Sequence, residues 1–172
     1  MTDEAFATIE RHDGGHLVRF ERELAHPREK VWRAITESEQ LVEWMPCDMI
    51  GERRAGADIA LRFRPDVVER YEIEEPTLAG RIEVWDPPAV FQWWWDTDRL
   101  RFELEEIDGG TRLRLTTWLG PDGDAPAWSA AAGYHVCLAL LRELLDTGSA
   151  PPLIEANPHE LEGQYKELVP GD

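Results

Sequence analysis

Lysine, cysteine and long apolar runs are scarce in this chain of 172 residues, and each shortage removes a class of protein from consideration. Lys30 and Lys166 are the only lysines, and 18 basic residues against 35 acidic ones leave a formal charge of −17. Affinity for a phosphate backbone comes mainly from clustered Lys and Arg, so nucleic acid is excluded as a partner. An anionic membrane surface is disfavoured for the same reason. No apolar run approaches the roughly 20 residues of a membrane span. The acidic opening MTDEAFATIERHDGG also lacks the charged-then-apolar order of a signal peptide.

The two cysteines, Cys47 and Cys137, lie far apart with no CxxC or Cys/His spacing around them. Neither a disulfide framework nor a Cys/His metal motif is encoded, and a reducing cytoplasm is the expected compartment. Cys137 falls on an apolar helix arc and reads as a small core residue, while Cys47 is more exposed by context but has no His partner in sequence. The histidines are isolated, with His135 on a polar helix stripe and His12, His16, His26 and His159 at element ends, so no metal is expected. The three serines, Ser38, Ser129 and Ser149, include none in a G-x-S-x-G elbow. Asp96 and Asp98 bracket a turn and read as turn formers and solvated charge. Nothing predicts the paired, desolvated carboxylates of acid/base catalysis, and Gly-rich phosphate loops are absent. No catalytic residue and no cofactor is therefore expected.

What the chain does have is aromatic: eight Trp, five Phe and three Tyr, most of them in the strand-rich region 17–119. It also has one long helical segment, Ala125 to Thr147. Apolar or small residues from Gly133 to Leu145 cover a wide arc there, against a narrow stripe of His135, Arg142, Glu143 and Asp146. Asp124 is placed to cap its start, Pro126 suits its first turn, and Gly148 supplies a left-handed exit before Pro151 and Pro152.

Upstream, residues 1–14 read as a polar, loosely ordered leader and His16 to Ala25 as a first strand. Two short helices follow, from Pro27 and from Thr36, the latter with a Thr36/Glu39 capping-box spacing. Cys47 to Gly56 reads as irregular, and Pro65 as the end of a strand over 59–63. Strands are then predicted at 70–74, 78–85, 90–95, 100–107 and 111–119, with Asp108-Gly109 as a strong hairpin signal. The parity sends Ile59, Leu61, Phe63, Ile82, Val84, Phe91, Trp93, Trp95, Leu100, Phe102, Leu104, Leu113 and Leu115 to one face. Alternating Arg and Glu, with Trp94, go to the other. After Gly148 an acidic extension, residues 149–172, contains a helix start at Asn157-Pro158 with Leu161, Tyr165 and Leu168 on one stripe. It is expected to pack on the edge of the 15–148 domain and to be dispensable for folding.

Several stretches together resemble the helix-grip fold of the START-like (SRPBCC) superfamily: PREKVWRAITESEQLVEWM as its helix pair, GRIEVWDPPAVFQWWW as a strand, Pro-Pro turn and strand, ELEEIDGGTRLRLTTWLG as a hairpin, and GYHVCLALLRELL as its long helix. Within it they point to the family related to the activator of heat shock protein 90 ATPase. The resemblance implies an α+β fold in which a curved antiparallel sheet wraps a long C-terminal helix, with a hydrophobic cavity beneath that helix. The aromatic set would either fill a core or line such a cavity. The residues expected to line it are Trp44, Phe63, Phe91, Trp93, Trp95, Phe102, Tyr134 and Leu141, and the expected partner is a small apolar or aromatic ligand. The same resemblance implies two alternatives: a chaperone or other protein partner met by the acidic surface, and a cyclase or hydrolase. The last requires a polar pair inside the cavity.

Overall fold

The computed structural model describes residues 4–123 and 125–171, and in it an antiparallel sheet of eight strands curves around one long helix. The described residues form β1 (Thr8–His12), β2 (Gly15–Leu24), α1 (Arg28–Thr36), α2 (Ser38–Trp44), β3 (Cys47–Ile50), β4 (Asp58–Phe63), α3 (Pro65–Tyr71), β5 (Thr77–Asp86), β6 (Val90–Trp95), β7 (Asp98–Ile107), β8 (Gly110–Leu119), α4 (Ala127–Thr147), a 3-10 turn (Leu153–Glu155) and α5 (His159–Leu168). The strand order is β1-β2-β8-β7-β6-β5-β4-β3. Consecutive strands from β3 to β8 are neighbours, as short connections dictate, and β2 closes on β8. This is the α+β helix-grip arrangement, with the helix pair α1/α2 after the strand β2. No helix of the described residues is long and apolar enough to cross a membrane.

Local chemistry accounts for most boundaries. The two-residue turn Asp108-Gly109 joins β7 to β8 with Ile107 opposite Gly110, and Gly109 sits at φ +82°, where a Cβ is unfavourable. Gly148 ends α4 at φ +86° while its N–H reaches the Leu144 carbonyl at 2.8 Å. Pro126 takes the position before the first turn of α4; Asp124, expected to cap that helix, lies outside the described residues. Pro158, not Asn157, takes the cap position of α5, while the Asn157 side-chain oxygen accepts the His159 N–H at 3.1 Å just ahead of the helix.

Five local expectations are corrected. Residues 8–12 of the supposed loose leader are an edge strand, with Thr8 to His12 paired against Gly15 to Arg19 and both Ala7 and Ile9 buried. The irregular stretch after Pro46 begins with β3, whose Cys47 and Met49 point inward opposite Phe63 and Leu61. Four residues are too few for an alternating pattern to register. The strand expected at 70–74 is replaced by the end of α3 and the turn that follows it. Pro65 opens that helix rather than merely ending a strand, and Asp66 organises its first turn by accepting the Val67 N–H and two donors of Arg64. The Arg64 hydrogen bond holds the Asp66 carboxyl below its usual pKa. No capping box forms at α2, since the Thr36 hydroxyl turns back to the Trp32 carbonyl at 2.7 Å.

The fifth correction concerns β5. A bulge at Glu83 sets Ile82 opposite Trp93 but Val84 opposite Gln92, so parity inverts there. Val84 faces out, and Trp85 turns in against Trp32 (ring centroids 5.1 Å) and Phe91 (5.3 Å). On the outer side Glu83 accepts the side-chain N–H groups of both Gln92 and Trp94. Trp94 therefore points outward as expected, between Trp118 and Arg99.

The extension after Gly148 is part of the core. Tyr165 of α5 is fully buried; its hydroxyl accepts the Ala7 N–H at 3.0 Å and lies 2.8 Å from Nδ1 of His135. His135, expected on the polar stripe of α4, is buried because α5 and the segment around Phe6 cover that side of the helix. With the hydroxyl accepting from Ala7, its proton is assigned to His135 Nδ1. The imidazole is then the neutral Nε2–H tautomer. Burial, followed by the Arg22 guanidinium, pushes its pKa down to about 4. Arg22 itself is buried and paired with Glu4 at 3.4 Å.

Candidate ligand-binding site

The inner face of β6 carries an aromatic file along which packing changes from closed to open. Phe91 and Trp93 are buried, with cross-strand neighbours that fill space: Phe102 beside Phe91, and Ile82 and Leu100 beside Trp93. One step further, Trp95 pairs with Gly80, which has no side chain, and with Asp98 at the start of β7. The core runs out there, and a cavity of about 480 Å³ begins, within the usual range for small-molecule sites. Its walls are Phe63 of β4, Leu78 of β5, the Trp95–Asp98 turn, the chain from Leu119 past the end of β8, and the first half of α4. Leu153, Ala156 and Pro158 of the extension complete the enclosure.

The eight residues expected at a cavity separate into two groups. Phe63, Trp95 and Tyr134 stand on the wall, and the rings of Phe63 and Trp95 meet at 5.8 Å. Trp44, Phe91, Trp93, Phe102 and Leu141 are buried outside the cavity lining, each at most 1% exposed. Trp44 donates its indole N–H to the Ala34 carbonyl at 2.9 Å and meets Phe102 edge-on, which makes it a fixed part of the helix-pair packing.

Polar groups stand at one end. Asp98, expected as solvated turn charge, is half-buried on the wall; its Oδ1 accepts the Gly120 N–H at 3.2 Å and faces the Thr97 hydroxyl at 3.5 Å. Burial raises its pKa, against those two hydrogen bonds, which lower it. Tyr134 keeps part of its surface accessible, as a cavity residue does, and burial followed by the Asp98 charge raises its phenol well above the usual value. Cys137 lies on the same wall with a thiol pushed up to about 12 by burial. It stays protonated at neutral pH and is no nucleophile there. Cys47 is also buried, contrary to its expected exposure, and its thiol pKa is raised for the same reason. Among the described residues no group of three or more His, Cys, Asp or Glu could hold a metal ion.

Gly133 was legible only as part of an apolar arc. It lines the cavity, lies on the exposed side of α4, and a Cβ built on it would meet no atom of the described residues within 4 Å. A mid-helix glycine costs about 1 kcal/mol relative to alanine, and no close approach here requires it. Its consequence is a notch in the helix at the edge of the cavity. The signal was present in the sequence as a lone glycine inside a helical pattern. The contribution of residues 153–158 had no such signal, because it depends on how the extension folds back.

The model of the family described as Activator of Hsp90 ATPase homolog 1-like protein matches residues 25–146, which runs from the helix pair to the end of α4. Among curated proteins none matches the sequence. The fold is similar to that of EF2215 from Enterococcus faecalis, a conserved protein of unknown function, at 20% identity and a TM-score of 0.77, covering 94% of this chain and 88% of that one. It is similar also to CalU16 from Micromonospora echinospora, at 16% identity and a TM-score of 0.67 over 95% of each chain. DynU16, from the dynemicin biosynthetic locus, matches at 17% identity and a TM-score of 0.62, covering 80% of this chain and 49% of that one. With its helix-grip fold and a family match over most of its length, the chain belongs to the Activator of Hsp90 ATPase homolog 1-like family, within the START-like superfamily.

Proposed function

We propose that this protein binds a small apolar or aromatic molecule in the cavity between the end of the sheet and the first half of α4. The observation that carries the reading is the contrast along β6: Trp93 is sealed into the core while Trp95, on the same face, opens onto about 480 Å³ of space. Aromatic walls with a few polar groups at one end are the usual make-up of a small-molecule site. The similarity to DynU16, a protein of a biosynthetic locus, supports a small-molecule role over a purely structural one.

The polar pair that the catalytic alternative requires is present in outline as Asp98 and Tyr134. Recognition uses such a pair equally well, and the protonated Cys137 supplies no nucleophile beside it. Binding is therefore the reading adopted. Thermal melts of the full chain with neutral naphthalene derivatives test it. A ligand at about 100 times its dissociation constant adds about 2.7 kcal/mol, or about 5 to 11 °C for a chain of this size. Melts unmoved by 2-naphthylmethanol and by larger members of the series at millimolar concentration would contradict the reading.

A further inference from the structure

We infer that the molecule held in this cavity is neutral or cationic, presents a hydrogen-bond donor to Asp98 beside the Tyr134 hydroxyl, and is not a carboxylate. The inference rests on the binding reading above and adds the charge class of the ligand.

Three observations carry it. Among the described residues that line the cavity none is Lys, Arg or His, whereas Asp96 and Asp98 both do. A carboxylate placed there would be desolvated beside like charge with no cation to meet it, which is among the costliest arrangements a binding site can impose. The guanidinium of Arg64, which acts on Cys137 of the wall, is committed to the Asp66 carboxylate and the Val42 carbonyl.

The second observation is that both hydrogen bonds to Asp98 within the described residues go to Oδ1, from Gly120 and Thr97. Oδ2 is left to accept from a ligand. The third is that the Tyr134 hydroxyl, on the wall near Asp98, has no hydrogen-bond partner among the described residues. The unpaired carboxylate oxygen takes an incoming donor, and the unpaired phenol beside it serves as acceptor or donor to the same group. Burial raises the Asp98 pKa, as a carboxyl without a nearby cation requires. An amine or hydroxyl on an aromatic body satisfies the site, and a fatty acid or aromatic acid does not.

The test uses three probes with one skeleton, 2-naphthylmethylamine, 2-naphthylmethanol and 2-naphthoate, titrated into the full chain at pH 7 by calorimetry. The amine and the alcohol are expected to bind at least about tenfold more tightly than the acid. In Asp98→Asn, which keeps an oxygen for the Gly120 N–H, the gap between amine and acid should shrink about tenfold, with the alcohol little changed. Tyr134→Phe should weaken the alcohol several-fold without reversing the order. Equal or tighter binding of the acid overturns the inference while leaving the cavity as a binding site. An amine preference that survives Asp98→Asn and fades in about 0.5 M salt belongs to the net charge of the chain, and also overturns it. Silence from all three probes overturns the binding reading and this inference with it.

Discussion

Trp93 and Trp95 offer an internally controlled perturbation, since the same side chain is removed two residues apart on one face of β6. Trp93 is 1% exposed, packed between the rings of Phe91 (6.1 Å) and Trp95 (5.9 Å). Trp95 meets Trp93 and Phe63 but leaves part of its surface on the cavity. Neither indole N–H has a hydrogen-bond partner among the described residues, so any relief from deleting an unpaired donor is common to both variants and cancels in the comparison. What differs is packing. Removing a buried Trp side chain costs about 3 to 5 kcal/mol, part of it from the cavity left behind. At Trp95 the cavity already exists, so the added void term is small and about 1 to 2 kcal/mol is expected.

At about 2 to 4 °C per kcal/mol for a chain of this length, Trp93→Ala should melt some 6 to 20 °C lower and Trp95→Ala some 2 to 8 °C lower. Urea melts with matched slopes check that both variants lose the same surface on unfolding. Trp95→Ala should also change the affinity of 2-naphthylmethanol. Losses within about 0.5 kcal/mol of one another would refute the account, because they would mean that the sheet is as tightly packed at Trp95 as at Trp93.

Three further outcomes are expected. Trp94→Ala should cost only about 1 kcal/mol by urea melt, since what is lost is an outward indole holding Glu83 and Arg99; a cost near that of Trp93→Ala would contradict the outward placement. For His135, whose pKa is depressed to about 4, the unfolded chain binds more protons than the folded one between about pH 6.5 and pH 4. Its contribution to stability is therefore fully present above about pH 6.5 and is lost as pH falls to 4, by roughly 3 kcal/mol at most. His135→Gln should flatten that part of the stability profile, and an unchanged slope would show that the imidazole is not held neutral. Truncation after Ser149 removes Tyr165 and with it the buried partner of Ala7 and His135. The shortened chain should lose about 3 to 5 kcal/mol and any probe binding, whereas a melt like that of the full chain would restore the edge-packing expectation.

The sequence was most legible where a local rule and the tertiary packing agree. The part of the meander from β5 to β8, its Asp108-Gly109 turn, the wide arc of α4 and the Gly148 exit are all written in periodicity or turn chemistry, and each stands where expected. Legibility fails where one residue alters the period. A single extra residue at Glu83 turns Val84 out and Trp85 in, and nothing in LAGRIEVW marks it. It fails again where short elements carry too few residues for a pattern, as at β3 and α3. His135 misled because a polar residue on an otherwise apolar helix reads as solvated until a second element, here α5, brings it a partner.

For the site, parity put Phe63, Phe91, Trp93 and Trp95 on the same inner face, but it could not say where along that face packing stops. That boundary is set across strands, by Gly80 and Asp98 beside Trp95 against Ile82 and Leu100 beside Trp93. The extension was harder still. Its Leu153, Ala156 and Pro158 reach the cavity only through the return of the chain after α4, which no local pattern encodes.

The most direct test of the central claim is a calorimetric titration of 2-naphthylmethanol into the full chain and into Gly133→Trp at several temperatures. A Cβ on this cavity-lining glycine meets no atom of the described residues within 4 Å, so the indole is chosen to fill the cavity, and the variant should melt no lower than the parent. The account predicts saturable binding of one molecule per chain with a negative heat-capacity change, the mark of apolar surface leaving water, and loss of that binding in Gly133→Trp. Titration heats that are absent from the parent chain, or identical in the two proteins, would contradict it.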